Sequence, residues 1–188
     1  MILHFSRITD NAPTNVSSQL SAEVTYDDSA VSFRFLNEGD ISSFITRVYF
    51  QDLTGSLGSA VMAEHFVDFT ANPTTSPPAL LEPPGAQPWW TPAWAATADL
   101  TRPDNGIHNY LGTGDQDWLT VTFDSTDFGE VLHDLETGDL RIALHVQGIP
   151  AGTTTMSDSF VSHSPLPASV LLGVFAVGLA GWKSRQFV

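Results

Sequence analysis

The sequence predicts an all-β protein, an antiparallel β-sandwich with one short helix, followed by a hydrophobic transmembrane helix at the C-terminus. Eight short segments of the 188-residue chain alternate apolar and polar side chains, which is the period of a half-buried strand. Clusters of turn-forming residues separate these segments, and a single 15-residue uncharged run stands near the C-terminus. The pattern does not distinguish a jelly-roll from other sandwich topologies.

The eight predicted strands all lie within the first 163 residues. They span residues 2–8, 19–26, 30–37, 45–52, 63–69, 118–124, 140–147 and 157–161. The second strand places Leu20, Ala22 and Val24 on one face, and the third does the same with Phe33 and Phe35. Between these two strands, an Asp-Asp-Ser sequence predicts a hairpin turn.

One helix is predicted after the sixth strand. Asp127 is the expected N-cap, and Glu130, three residues later, is its expected reciprocal partner. Gly138 is expected to end the helix. The apolar stripe of this helix consists of Phe128, Val131, Leu132 and Leu135.

Residues 72–103 differ in composition from the rest of the chain. Proline at high density blocks helices and central strands, so a long loop is predicted here. The loop also carries Trp89, Trp90 and Trp94, which are candidates for stacking on sugar rings. The alternative is that these tryptophans fold back as a lid on one end of the sandwich. Eight of the twelve prolines of the chain lie in this stretch: Pro73, Pro77, Pro78, Pro83, Pro84, Pro88, Pro92 and Pro103.

The charge is distributed unevenly along the chain. With 21 acidic and 7 basic residues, the formal net charge is −14. Two of the cations, Lys183 and Arg185, lie in the last six residues, so residues 1–182 carry −16. A nucleic-acid-binding protein needs a basic surface, and we therefore expect no nucleic-acid partner. The acidic body also disfavours a domain that lies on anionic lipid.

No catalytic or metal-binding motif is present in the sequence. There are no cysteines, and the six histidines are not spaced as a local zinc motif. The acidic loops 104–106 and 112–117 offer oxygen ligands of the kind that Ca²⁺ prefers, although turn chemistry alone also explains their composition. Nucleophile elbows and phosphate-binding or dinucleotide-binding loops are absent. We therefore expect no cofactor and no enzymatic activity, and a hydrolase is the least favoured interpretation.

His145 lies on the polar face of the predicted strand 140–147, together with Arg141 and Gln147. A histidine in this position can act as a ligand or a base, or it can bond to a neighbouring strand or loop. Ser159, in the following strand, has neither a nucleophile elbow nor an obvious base in the sequence.

Residues 168–182 read ASVLLGVFAVGLAGW and contain no charge. As a helix this run would span about 22 Å, whereas the hydrocarbon core of a bilayer is about 30 Å thick and usually takes roughly 20 residues to cross. A buried core helix is the alternative, but the run has no polar face and contains three glycines. The basic residues Lys183 and Arg185 follow it, and the positive-inside rule places them on the cytoplasmic side. We therefore predict a transmembrane helix with the acidic body outside.

At the start of the tail, Pro165, Leu166, Pro167 and Ala168 lead into the apolar run, and the basic end follows it. This order of motif, apolar run and basic end resembles the PEP-CTERM sorting signal of exported proteins in Gram-negative bacteria. The motif is similar to the V-P-L-P-A variant of that signal, with Ser164 in place of Val. The resemblance implies recognition by a membrane-embedded exosortase and a final location at the cell surface or in the extracellular matrix. Members of this family carry an N-terminal signal peptide, whereas this chain begins with a strand pattern. Either the true start codon lies upstream, which we expect, or the sequence is trimmed, or the tail is a relic.

Two blocks of the body also resemble PEP-CTERM ectodomains. They are FRFLNEGDISSFITRVYFQD and DFGEVLHDLETGDLRIALHVQGI, and the second is followed by a Ser-Asp-Ser-Phe-Val strand. The resemblance implies location and architecture, and it supplies no chemistry.

The sequence therefore predicts two parts, a β-sandwich ectodomain at 1–163 and a sorting signal at 164–188. We expect an exported protein with a structural or adhesive role, anchored in the inner membrane through its C-terminal helix. The alternative is a carbohydrate-binding module that contacts exopolysaccharide through the loop from Trp89 to Trp94.

Overall fold

A computed structural model describes residues 1–73, 92–99, 101, 105–110, 115–125 and 127–163. Within them the protein is all-β and antiparallel with one short α-helix, as the sequence predicts. The helix α1 spans Phe128–Thr137, and Ser17–Gln19 forms a 3-10 turn. The strands are β1 Ile2–Arg7, β2 Leu20–Asp27, β3 Ala30–Asn37, β4 Phe44–Asp52, β5 Ala60–His65, β6 Phe69–Pro73, β7 Trp94–Ala98, β8 Ile107–His108, β9 Trp118–Asp124, β10 Leu140–Ala151 and β11 Thr154–His163.

All eleven of these described strands belong to one continuous sheet. Its order is β5-β9-β3-β2-β1-β11-β10-β4-β7-β6, and β8 pairs with β4 off this path. We call β5, β9, β3 and β2 the Trp118 wing, and β11, β10, β4, β7 and β6 the His145 wing; β1 joins the two. The edge strands β5 and β6 follow one another in the chain, so the sheet comes close to closing on itself.

The core lies between the two wings, and Phe50 of β4 is at its centre. Its ring contacts Phe33 and Phe123 of the Trp118 wing edge-on, at centroid distances of 5.1 and 4.8 Å. It also contacts Trp94 of its own wing at 5.7 Å. Side chains of distant strands can meet in this way only if the sheet curls so that its wings face each other. Alternate residues of each strand therefore point into one shared core.

The connection between β5 and β6 carries the chain from one edge of the sheet to the other. Phe66 lies in this connection with φ 59°, a left-handed conformation that is strained for a bulky side chain. Side chains hold the connection in place: Glu64 accepts a hydrogen bond from the backbone N–H of Phe69 (2.9 Å), and Asn105 accepts one from that of Asp68 (3.0 Å).

Three sequence predictions of strand position need correction. The predicted strand 63–69 joins the end of β5 to the start of β6, because its apolar residues continue through the crossing between the edges. The predicted loop 72–103 contains the end of β6 and all of β7, since the segment Trp94–Ala98 has no proline and pairs with β4. The last two predicted strands are longer than expected, because β10 and β11 continue as a hairpin.

The predicted helix is confirmed at both ends. The Asp127 side chain accepts a hydrogen bond from the backbone N–H of Glu130 at 3.1 Å, which satisfies one of the free N–H groups of the first turn. Gly138 ends the helix in the left-handed conformation, with φ 83°. Val131 and Leu135 are buried against the core.

The predicted transmembrane helix 168–182 lies outside the described residues. Among the helices within the described ranges, none has the length and apolarity needed to span a bilayer.

Candidate functional site: the outer face of the His145 wing

Most of the site residues predicted from the sequence lie outside the described residues. These are the sorting motif Pro165, Leu166, Pro167 and Ala168, the basic residues Lys183 and Arg185, and the tryptophans Trp89 and Trp90. Trp94 is described and is the first residue of β7. It is half-buried, and its ring packs edge-on against Phe50 at 5.7 Å and Phe123 at 5.6 Å. At least part of this indole therefore contributes to the core.

The acidic loops proposed for Ca²⁺ are described only in part. Asn105 uses its amide to bridge turns, accepting from the backbone N–H of Asp68 at 3.0 Å and donating to the carbonyl of Asp99 at 2.8 Å. Asp117 lies 2.9 Å from the Nδ1 atom of His108. In the ranges that can be described, no cluster of three or more His, Asp or Glu side chains is arranged to hold a metal ion. A calcium site thus stays a prediction.

A row of polar side chains crosses the His145 wing on the face opposite the core. His145 of β10 is directly opposite Arg47 of β4 on one side and Ser159 of β11 on the other. Tyr49 lies two residues from Arg47 on the same strand and therefore on the same face. The sheet register alone brings these four residues together, although they come from three separate parts of the sequence.

Three of the four side chains of this row are buried even though they do not belong to the main core. Tyr49 and Ser159 are 0% exposed and His145 is 7% exposed. Tyr49 forms a second, small apolar cluster with Ala95 and Ala143, its cross-strand neighbours on β7 and β10. Both faces of this wing are therefore shielded from solvent around Tyr49.

Within the part of the chain that the structure describes, four polar atoms of the row have no hydrogen-bond partner. They are Arg47 Nε, Tyr49 Oη, His145 Nδ1 and Ser159 Oγ, and each is inaccessible to solvent. More than nine in ten buried polar groups in native proteins are hydrogen-bonded, so four unpaired atoms in one row require an explanation.

Burial and the neighbouring cation set the ionisation of the row. Burial, together with the charge of Arg47, lowers the pKa of His145 to about 4, and Asp158 opposes this only in part. Burial also raises the pKa of Tyr49, although Arg47 acts in the opposite direction. Around neutral pH the histidine is therefore neutral and the phenol keeps its proton.

The hydrogen bond between His145 and Gln147 fixes the position of the imidazole proton. The Nε2 atoms of the two side chains are 3.3 Å apart. Because the amide nitrogen of Gln147 can only donate, the imidazole Nε2 accepts, and a neutral ring then carries its proton on Nδ1. The unpaired Nδ1 of His145 is consequently a donor.

The outer face of the Trp118 wing carries a different arrangement. The indole of Trp118 lies between Arg34 and His65, whose strands flank β9 on opposite sides. The guanidinium carbon of Arg34 is 5.2 Å from the ring centroid, and the imidazole of His65 stacks at 5.8 Å with an interplanar angle of 16°. Glu23 approaches Arg34 at 3.9 Å. These side chains are in contact with one another and remain in part open to solvent.

An open hollow of about 470 Å³ lies at one end of the Trp118 wing. It offers hydroxyl groups and a single carboxylate, Asp124, without a second charged group among its lining residues. This hollow therefore presents no acid–base pair. Its lining consists of Ser29, Gly55, Ser56, Gly58, Asp124 and Ser125.

Comparison with protein-family models, with curated proteins and with solved structures found no match to this chain. The candidate site therefore rests on the geometry of the chain itself. Sequence reasoning identified His145 as a candidate and missed Arg47, Tyr49 and Ser159 as its neighbours. Only the register of β4, β10 and β11 reveals that proximity, and no local pattern in the sequence encodes it.

Proposed function

We propose that this chain is the folded domain of an exported protein that is held at the cell surface or in the extracellular matrix, where it has a structural or adhesive role without catalysis. The observation that supports this proposal best is the position of β11. This strand ends at His163, immediately before the segment that resembles a sorting signal, and it lies in the middle of the sheet.

β11 is paired on both sides. It is antiparallel to β1 and to β10, and the hydrogen bonds of such ladders run perpendicular to the strands. A pull along β11 from its C-terminal end would load many of these bonds together rather than one at a time. This geometry suits a domain that is tethered through the chain following β11.

A buried ion pair fixes β11 further. Asp158 is 1% exposed and lies 2.9 Å from the guanidinium of Arg7. The same carboxylate accepts hydrogen bonds from the hydroxyl of Thr9 and the backbone N–H of Asn11, each at 2.8 Å, and from the backbone N–H of Ala12 at 3.1 Å. The N-terminal segment is thereby attached to the strand that would carry the tether.

The proposal extends to the route of export. Residues 164–188 would be recognised by an exosortase-type enzyme, with the apolar run 168–182 in the inner membrane and Lys183 and Arg185 on the cytoplasmic side. The support for this step is the order of motif, apolar run and basic end in the sequence.

The test of sorting is the mass of the mature protein. The complete gene, including its upstream codons, is expressed in hosts with and without an exosortase, and the protein from the cell surface is measured by mass spectrometry. We expect loss of the tail only when the enzyme is present. A matched variant, Pro165→Ala with Pro167→Ala, should keep the tail in both hosts. Equal masses for the unmodified protein in the two hosts would refute the proposal.

Carbohydrate contact is the second candidate function. Trp94 supports it to the extent that its indole is only half-buried and directly follows the segment that carries Trp89 and Trp90. Alanine replacements of Trp89 and Trp90 should reduce retention of the protein on the polysaccharide of its host. Because Trp94 packs in the core, Trp94→Phe is the appropriate variant there. Unchanged retention in folded variants would exclude this candidate.

A further inference from the structure

We propose that the outer face of the His145 wing binds a small oxyanion through Arg47, Tyr49, His145 and Ser159. The inference is independent of the proposed function, and it rests on the four unpaired, buried polar atoms of this row.

All four atoms can donate a hydrogen bond. The Nε of Arg47 always carries a proton, and the hydroxyls of Tyr49 and Ser159 are free to rotate toward an acceptor. The Nδ1 of His145 carries the imidazole proton because Gln147 donates to Nε2. A cluster made of donors alone is complementary to a group that only accepts, and carboxylate, phosphate and sulfate oxygens are such groups.

The charge of the row also favours an anion. Arg47 is half-buried and contributes a full positive charge. In the described part of the chain, no carboxylate forms an ion pair with it. Asp158, which acts on the pKa of His145, is already bonded to Arg7, Thr9, Asn11 and Ala12. Within the described residues, the positive charge of Arg47 is therefore not balanced by a carboxylate and can attract an external anion.

The directly opposite neighbours of Tyr49 on the two adjacent strands are small. Its two cross-strand partners are Ala95 and Ala143, which carry only a methyl group. Directly opposite residues on adjacent strands have Cβ atoms roughly 4.5–5.5 Å apart, so Arg47 and Ser159 approach His145 from its two sides within the reach of a small ion. The spacing of these donors therefore suits a single oxyanion group, either an inorganic ion or the carboxylate of an acidic sugar.

The experiment measures the melting temperature and binding heat of the full-length chain in a non-ionic detergent. Sodium phosphate, sodium sulfate and sodium glucuronate are titrated in parallel, with sodium chloride at equal ionic strength and glucose as controls. We expect a melting temperature that rises and saturates with at least one oxyanion, and neither control should reproduce it. A response to phosphate or sulfate alone would identify an inorganic ion, whereas a response to glucuronate and not to glucose would identify an acidic sugar.

Tyr49→Phe and Ser159→Ala are the decisive variants because each removes a hydroxyl and little else. Without added anion, Ser159→Ala should melt at the same temperature as the unmodified chain or higher, since its hydroxyl has no partner to lose. Tyr49→Phe also loses the interaction of the phenol with Arg47 and should melt close to the unmodified chain. Each should weaken oxyanion binding about tenfold or more, and Arg47→Gln should abolish it. Tyr26→Phe is the matched control, because its hydroxyl bonds to the carbonyl of Asp28 on an exposed turn.

Two results would overturn the proposal. The first is the absence of any saturable shift beyond that produced by sodium chloride. The second is an oxyanion response of equal strength in the Tyr49→Phe and Ser159→Ala variants, which would mean that the ion binds elsewhere.

Discussion

The outer faces of the two wings differ in how their polar side chains are bonded and buried. On the Trp118 wing the polar and aromatic side chains contact each other, with Arg34 and His65 stacked on either side of the indole. On the His145 wing Tyr49, His145 and Ser159 are buried, and among the described residues four polar atoms of the row have no hydrogen-bond partner. On the Trp118 face the same holds for one buried atom, Arg34 Nε, so the His145 face leaves more hydrogen-bonding groups unpaired.

This difference separates stability from recognition. Polar side chains that bond to one another contribute to folding and need no ligand to complete their hydrogen bonds. A buried set that leaves donors unpaired lowers stability until a partner supplies the acceptors. Protein sites that hold ligands are of the second kind, so the His145 wing is where we expect specific binding.

The largest effect on stability is expected in the core between the wings, because a substitution there removes contacts to both wings at once. Phe50→Ala deletes a fully buried ring that contacts Phe33, Phe123 and Trp94. We expect the free energy of unfolding to fall by about 3–5 kcal/mol. Urea denaturation measures this change.

The matched control for Phe50→Ala is Leu53→Ala, three residues away and 59% exposed. It should alter the free energy of unfolding by less than about 0.5 kcal/mol. Equal losses for the two variants would show that Phe50 does not join the wings.

The second effect concerns pH and belongs to the His145 wing alone. His145 has a pKa of about 4 in the folded protein against 6.5 in an unfolded chain, so between these values the unfolded chain binds a proton that the folded one does not. Stability from this residue is therefore complete above pH 6.5 and is lost as the pH falls toward 4, by up to about 3 kcal/mol.

Comparison with His145→Gln isolates this contribution, because the two proteins differ only in this side chain. Urea denaturation is followed from pH 7 to 4, and the difference in unfolding free energy between the two should change by about 1.4 kcal/mol per pH unit below 6.5. Parallel curves for the His145→Gln variant and the unmodified protein would contradict the prediction.

The sequence predicts the inner faces of both wings well and the outer faces poorly. Alternate side chains of a strand point to the same face, so the pattern places Phe33 and Phe35 together in the core, and the structure confirms this. Helix α1 is predicted at both ends because Asp127 and Gly138 act locally. These signals need only near neighbours in the chain.

Which side chains meet on the outer faces depends on the strand register, and which are buried depends on what packs over them. Neither property is set by neighbours in the sequence. Ser159 has no base nearby in the sequence, yet pairing of β10 with β11 places His145 directly opposite. Trp118 is paired with His65 and approached by Arg34 only because β9 lies between β5 and β3. Burial of Tyr49 on the face away from the core is invisible to an alternation rule that assigns one face of a strand to solvent.

A smaller effect is expected on the Trp118 wing. Trp118→Ala removes the stacking contact with His65 and the cation–π contact with Arg34. Because the indole is half-exposed, we expect a loss of about 1–2 kcal/mol in unfolding free energy. Val61→Ala, on the same face and 66% exposed, is the control and should cost less than half as much. A loss above that of Phe50→Ala would mean that this face, too, is a core.

The smallest effect is expected for Glu23→Gln, at the end of the same row. Glu23 lies 3.9 Å from Arg34, and the two side chains are 45% and 43% exposed, so water screens the pair. We expect a change of less than about 0.5 kcal/mol in the free energy of unfolding, which added salt reduces further. Urea denaturation at low and high ionic strength measures both quantities. A salt-insensitive loss above about 1 kcal/mol would show that Glu23 positions Arg34 on the indole. The Trp118 face would then depend on its charges as strongly as the His145 face does, and the contrast between the wings would lie in solvent access alone.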